Sequence, residues 1–387
     1  MEFFDFLSVH NPKVKKDVFL YAHNGAKYDM AVLNEVLLKR PDFQFDKDGF
    51  VELNGAVISM TIKNKHDIVF TFRDSVRLFP GSLDSLCKDL KPKYAKMSNH
   101  AFNFDDLNAE NIHDPELCAE IREYLRHDCL SLAQIMIEFR EQTIMDPKIE
   151  IDITNCFTSA TLAKKLFFEK YYHRYCDKSR NRYIYHLNRE LDTDLRRSYY
   201  GGRCDIYTYS NTPFKNVYYY DFTSLYPSVG RNMLPIGEPV KVNGLDIDLE
   251  NFYGFVCCDV TTNPDTLPLH GHKYDGKLVF AHHVNTEMML FSEEIKAGLA
   301  LGYTYKPLYG YRFDKAPLLR DVMTDGFKFK AEAKRNGQPI LERTFKQIIN
   351  SIYGFWGLRW QDKRGVSMMT GDQLDLALEE KRVYNFN

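Results

Sequence analysis

Residues 218–228 read YYYDFTSLYPS: three aromatic residues, then one carboxylate, Asp221, where the run breaks into a Thr-Ser turn closed by Tyr226 and Pro227. Aromatic residues favour a half-buried strand, and proline cannot continue a ladder of backbone hydrogen bonds. The segment is therefore expected to be a strand with Asp221 at its carboxyl end, its oxygens free for a hard cation. The plain structural alternative is a solvated aspartate that opens a turn.

A second segment, residues 346–354, reads KQIINSIYG. Lys346, Asn350, Tyr353 and Gly354 fall at i, i+4, i+7 and i+8 of a helix and share one face, while Ile348, Ile349 and Ile352 cover another. Such a face offers an ammonium to a phosphate and a glycine against which a flat base can lie. An amphipathic surface helix with one lysine is the alternative. Together the two segments resemble motifs A (DxxSLYP) and B (KxxxNSxYG) of family B DNA polymerases, matched at every defining position and in the right order.

Length and composition agree with a large α/β enzyme. The 387 residues, 44% of them hydrophobic, suffice for two or three domains. Net charge is −2, so contact with DNA must come from local patches. Eight cysteines occur without a CxxC pair, and only Cys257 and Cys258 are adjacent. That pattern argues against a zinc site or a disulfide framework and for a reducing, intracellular compartment: cytoplasm, mitochondrion or virus-infected cell. There is no run of 18 apolar residues and no signal-peptide core at the start, so no membrane association is expected.

Residues 1–150 read as a first domain. An apolar run of strand length, 18–22 (VFLYA), is followed by His23-Asn24-Gly25 and a helical period over 30–38. This order puts Asn24 and Asp29 at a carboxyl-end crevice, where ligands bind in α/β sheets. Further strands are expected within 51–72, with a turn at His66-Asp67. In a long helix over 116–140, Tyr124 and Asp128 are one turn apart, placing a phenol beside a carboxylate.

By the same resemblance HNGAKYD matches the second exonuclease motif of the family and YLRHD the third. It implies an RNase-H-like 3′-5′ exonuclease domain, with Asp29 and Asp128 as metal ligands and Tyr124 positioning the attacking water. Asn24, Tyr28 and Ser75 would contact a DNA strand, Ser75 within a single-strand-binding element at Asp74-Ser75-Val76. Lys96 takes the approximate place of a further site lysine, a solvated lysine being the alternative. The first exonuclease motif, DxE, does not occur in the 28 residues before Asp29.

Residues 151–213 form a basic connection. Between Lys164 and Arg203, eleven Lys and Arg stand against five acids, with Tyr171, Tyr172, Tyr175, Tyr183 and Tyr185 interleaved. Cations beside aromatic faces suit a sequence-blind nucleic-acid groove, and a solvated basic surface is the alternative. Tyr199-Tyr200-Gly201-Gly202 resembles the YxGG motif, which implies template contact by Tyr199, Gly201 and Gly202. Residues 214–316 would be part of the palm, with motif A and a turn-rich insertion. His270, His272, His282 and His283 within it lack the spacing of a metal site.

Residues 317–358 read as two helices broken at Asn336-Gly337-Gln338-Pro339, the fingers. Lys330 and Lys334 resemble the basic pair that precedes motif B, only 12 positions before Lys346. Fingers this short point to the protein-primed subgroup of phages, linear plasmids and mobile elements, and so to a terminal priming protein as partner. Residues 359–387 have no assigned role.

The family likeness implies attack of a primer 3′-hydroxyl on a dNTP between two Mg²⁺ ions, Mn²⁺ being an alternative. Asp221 and the Phe222 carbonyl would hold the metals. Ser224, Leu225, Lys330, Lys334 and Lys346 would meet the triphosphate, and Asn350 and Tyr353 would flank the nascent base pair. Tyr226 would stack under the sugar and exclude a 2′-hydroxyl. Motif C (YxDTD) is not found after Lys346, so the expectation is a polymerase fragment, with a DNA- and nucleotide-binding remnant as the alternative reading.

Overall fold

The computed structural model describes the chain apart from residues 1, 11–16, 28, 54–55, 95–96, 98–102, 104–106, 109, 112, 207–212 and 358–387. Tyr28 and Lys96 thus lie outside the described residues. The chain divides into two units, Met1–Phe167 with Asp325–Asn387, and Phe168–Thr324. The boundaries expected from sequence at 150, 213 and 316 do not coincide with this division, in which the helices expected as fingers fall in the first unit from Asp325 on.

In the first unit, helices α1 (Glu2–Val9), α2 (Asp29–Leu38), α3 (Leu83–Leu90), α4 (Pro115–Met145) and α5 (Ser159–Leu166) accompany one sheet. Its strands are β1 (Val18–Ala22), β2 (Phe43–Leu53), β3 (Ala56–Asn64) and β4 (Val69–Asp74), in the order β1-β4-β3-β2. Strand β1 runs parallel to β4, and the other pairs are antiparallel. Phe4, Leu7, Met30 and Leu37 of the first two helices pack with Phe43, Met60, Ile62, Phe70 and Phe72. The β3–β4 turn falls where the sequence places it, with Asp67 at φ 59°. Helix α4 starts at a side-chain cap, Asp114 accepting from Leu117 N, with proline in its first turn.

The second unit holds α6 (Tyr172–Tyr175), α7 (Arg189–Leu195), α8 (Leu225–Gly230) and α9 (Ser292–Ala300). Its strands are β5 (Leu234–Asn243), β6 (Gly254–Thr261), the hairpin pair β7 (Gly271–Tyr274) and β8 (Lys277–Phe280), β9 (Thr286–Phe291) and β10 (Thr304–Ala316). The larger sheet is antiparallel with order β5-β10-β6-β9. Alternation along β6 sends Val256, Cys258 and Val260 to a core with Leu290 and Ile295, and Cys257 to a core with Leu195, Met289 and Tyr311. The adjacent cysteines therefore face opposite sides, and both are free thiols.

Helices α10 (Arg320–Arg335) and α11 (Pro339–Trp356) form the expected hairpin, turned at Gly337 with φ 63°. From Asp325 onward they belong to the first unit. Phe329 meets Phe345 with ring centroids 5.3 Å apart, and a Cβ at Gly326 would overlap Ile349 Cγ2. Helix α11 also packs on α5, where Ser159 Oγ and Ser351 Oγ are 3.2 Å apart.

Candidate functional site

Parallel pairing of β1 with β4 sets Ala22 opposite Asp74, so both strands end at the same level. Asp74, 2% exposed, accepts from Asn24 N at 2.8 Å, Ala26 N at 3.1 Å and Val76 N at 3.0 Å. One buried carboxylate thereby satisfies three backbone donors that the strand ends would leave orphaned. The cleft so framed has a volume of about 460 Å³ and is lined by His23, Asn24, Val76, Gly81, Ser82, Leu83 and Asp128. Asn24, at φ 66°, and Asp128, from α4, both line this cleft, whereas Asp29 is not among its lining residues. Tyr124, one turn before Asp128, is buried, and Asp29 is exposed in the first turn of α2.

Ser75 has no exposed surface, and its hydroxyl donates to Ala22 O at 3.0 Å. Its oxygen lies 2.9 Å from His23 Nδ1, while His23 Nε2–H donates to Gly81 O at 2.8 Å. The roles of His23 and Asp74 as ties between the strand ends and the 80–82 loop are the part that the sequence reading did not give. A polar residue at or just past a strand's end is the available signal.

Helix α11 carries the expected face. Lys346, Asn350, Tyr353 and Gly354 are exposed, whereas Ile348, Ile349 and Ile352 are each at most 1% exposed. Around Gly354 the space is open, with no heavy atom within 4 Å of a Cβ built there. On α10, Lys334 is exposed and Lys330 half-buried. Neighbouring charges are neutralised, as in Lys148–Glu332 at 3.2 Å and Arg343–Asp89 at 2.8 Å. Among the described residues Lys330, Lys334 and Lys346 enter no ion pair, which leaves local positive charge on a chain of net charge −2.

Motif A departs from expectation. Residues 217–222 form no strand, and Asp221 is exposed together with Tyr218, Tyr219, Tyr220 and Phe222. Strands are stabilised by cross-strand pairs, and none forms with this run among the described residues. Tyr218 and Tyr220 nonetheless stack, with centroids 6.5 Å apart. Ser224 stands in the left-handed region at φ 55° ahead of α8, a conformation that costs a non-glycine residue about 1–2 kcal/mol. Leu225 and Tyr226 are half exposed on α8. A Cβ at Gly202 would lie 3.7 Å from the Tyr226 hydroxyl, so the exposed Gly201-Gly202 pair and motif A are neighbours.

In the basic connection several arginines are paired with carboxylates. Arg174, Arg180, Arg196, Arg197 and Arg203 pair with Asp321, Asp177, Asp192, Asp194 and Asp205, and Arg197 also with Glu287. Tyr199 is exposed, but Tyr200 is the anchor: its hydroxyl donates to Glu294 Oε1 at 2.7 Å, and its ring meets Phe280 edge-on. Burial and the Glu294 carboxylate push the Tyr200 phenol well above its usual range. Among the histidines, burial lowers His270 to about 4, with Nε2 2.6 Å from the Tyr305 hydroxyl.

A two-cation centre needs roughly four carboxylates. Among the described residues, no three His, Cys, Asp or Glu side chains group so as to hold a metal ion. The donors described at Asp221, or at Asp29 and Asp128, do not by themselves fit a complete Mg²⁺ or Mn²⁺ centre.

The family model described as DNA polymerase type B, organellar and viral, matches residues 91–385. The chain belongs to this family. Among relatives of this type B polymerase chain, a probable DNA polymerase of Podospora anserina is 26% identical over 317 residues, covering 74% of the chain and 25% of that protein. Another from Agaricus bitorquis is 26% identical over 400 residues, covering 92% and 47% respectively. The chain spans half or less of the length of these relatives. Among solved structures, Phi29 DNA polymerase complexed with primer-template DNA aligns with a TM-score of 0.65 at 20% identity, over 91% of this chain and 60% of that one. The same polymerase in an orthorhombic crystal form aligns with a TM-score of 0.64. The fold is therefore that of an exonuclease-like domain followed by part of a type B polymerase.

Proposed function

We propose that the chain is the exonuclease-like and nucleotide-binding portion of a DNA-directed DNA polymerase that extends a primer 3′-end with dNTPs. The exposed face of α11 carries this reading. Lys346 would meet the triphosphate, with Lys330 and Lys334 adding charge. Asn350, Tyr353 and the open backbone at Gly354 would lie against the base. Tyr226 beside Gly202 would exclude ribose by shape. Asp221 would supply one carboxylate ligand to a divalent cation.

The cleft between His23 and Asp128 would take a single-stranded 3′-end, whose bases and sugars Asn24 and the Gly81–Leu83 loop can reach. Priming by a protein is part of the same reading and is supported by the three-residue turn between α10 and α11. The experiment is equilibrium binding of a dNTP in the presence of Mg²⁺. Lys346→Ala should weaken it by about 1.5–3 kcal/mol, the worth of a hydrogen bond to a charged group. An unchanged dissociation constant removes the assignment. Because binding is read, the result does not depend on turnover by this chain alone.

A further inference from the structure

The loop that closes one side of the cleft is held from two directions. Gly81 O accepts from His23 Nε2, and the carbonyl before it, Pro80 O, accepts from Arg343 Nη2. Through Nη1 the same guanidinium pairs with Asp89 Oδ2 at 2.8 Å, in the last turn of α3. Arg343 lies on α11, one helical turn before Lys346 and 263 positions from Pro80 in sequence. Gly81 has φ 125°, which glycine alone adopts readily, and a Cβ there would sit 3.1 Å from Arg343 Nη2. Loop shape and arginine approach are therefore matched to each other.

Three of the cleft's lining residues, Gly81, Ser82 and Leu83, directly follow the carbonyl that Arg343 holds. A guanidinium forms charge-assisted hydrogen bonds, and its fork serves two acceptors at once, which a lysine ammonium on a flexible stem does less well. A loop already tied at two successive carbonyls has little freedom left to lose when a ligand binds, and preorganisation of this kind raises affinity.

We propose that Arg343 is a positioning residue for the cleft: it fixes the 80–82 wall in the shape that takes a single-stranded DNA end, so that the helix bearing Lys346 also completes the cleft. The proposal rests on the single-strand reading of the cleft given above.

The test is a titration of fluorescein-labelled oligodeoxythymidylate into the full chain by anisotropy, beside dNTP binding and thermal unfolding of each variant. Arg343→Ala should weaken oligonucleotide binding about five- to tenfold while dNTP affinity stays within about twofold. Arg343→Lys should regain part of the loss. Asp89→Asn should stay within about twofold, because the bond to Pro80 remains. Gly81→Ala, which leaves Arg343 in place, should reproduce the loss and carries the test if Arg343→Ala does not fold. Parallel loss of oligonucleotide and dNTP affinity in Arg343→Ala would mean damage to the helix and would overturn the proposal. So would wild-type oligonucleotide affinity in Arg343→Ala and Gly81→Ala while Asn24→Ala and Asp128→Asn bind weakly. If those last two also bind normally, the cleft reading itself fails, and the proposal with it.

Discussion

Helix α11 and the motif A segment are both short, both aromatic and polar, and both carry a complete family signature, yet only one takes up its expected structure. Every backbone bond of a helix is made within about four residues, and α11 needs only a surface for its apolar side chains, which α5 and, against Phe345, Phe329 provide. The run YYYD needs partners across a sheet, and such partners come from elsewhere in sequence. Here it has none among the described residues, and its side chains stand exposed, Tyr219 to 93%. A motif built on local periodicity is thus carried by its own segment, whereas one built on strand pairing is only as formed as its neighbours.

The largest expected contrast is in stability. Ile352, with no exposed surface, should cost about 2–5 kcal/mol on replacement by alanine, whereas Tyr219→Ala should stay within about 0.5 kcal/mol. Urea unfolding of both variants measures the difference, and equal losses would mean that the motif A aromatics are packed after all.

Two aspartates sharpen the same comparison. Asp74→Ala orphans three backbone donors at the ends of β1 and β4 and should cost roughly 2–3 kcal/mol, while Asp221→Ala should leave the unfolding midpoint nearly unchanged. A comparable loss in Asp221→Ala would show hidden structure around motif A.

A smaller, pH-dependent effect concerns the ion pair that ties the end of α4 to the segment after it. Asp152 pairs with Arg140 at 2.7 Å, and this hydrogen-bonded guanidinium holds its carboxyl down at about 2. Because the folded value is depressed, the pair's stabilisation is full above the unfolded value near 4 and fades as pH falls from there toward 2. Asp152→Asn should therefore destabilise by about 1–2 kcal/mol at pH 6 and by clearly less at pH 3. A difference that does not change with pH would rule out the ion pair as its source.

What the sequence made legible follows the same division. The strand at 18–22, the helix after it, the turn at His66-Asp67 and the whole exposed face of α11 rest on local period and turn chemistry, and the structure has them there. Asp74 and Ser75 read as a strand-binding element because nothing local distinguishes a side chain that caps the ends of two strands from one that faces a ligand. The tie from Arg343 to Pro80 joins residues 263 positions apart, and no short-range pattern signals it. The arginines of the connecting region show a positive excess in sequence, but their acidic partners include Glu287 and Asp321, far along the chain.

Amide hydrogen exchange resolved by residue tests the central claim most directly, because it compares the two motifs in one sample. The account predicts strong protection at Phe345 to Ile352 on α11 and near-unprotected exchange at residues 217–222. Protection of Tyr219 to Asp221 at the level of α11 would contradict it, since those amides would then be paired within this chain.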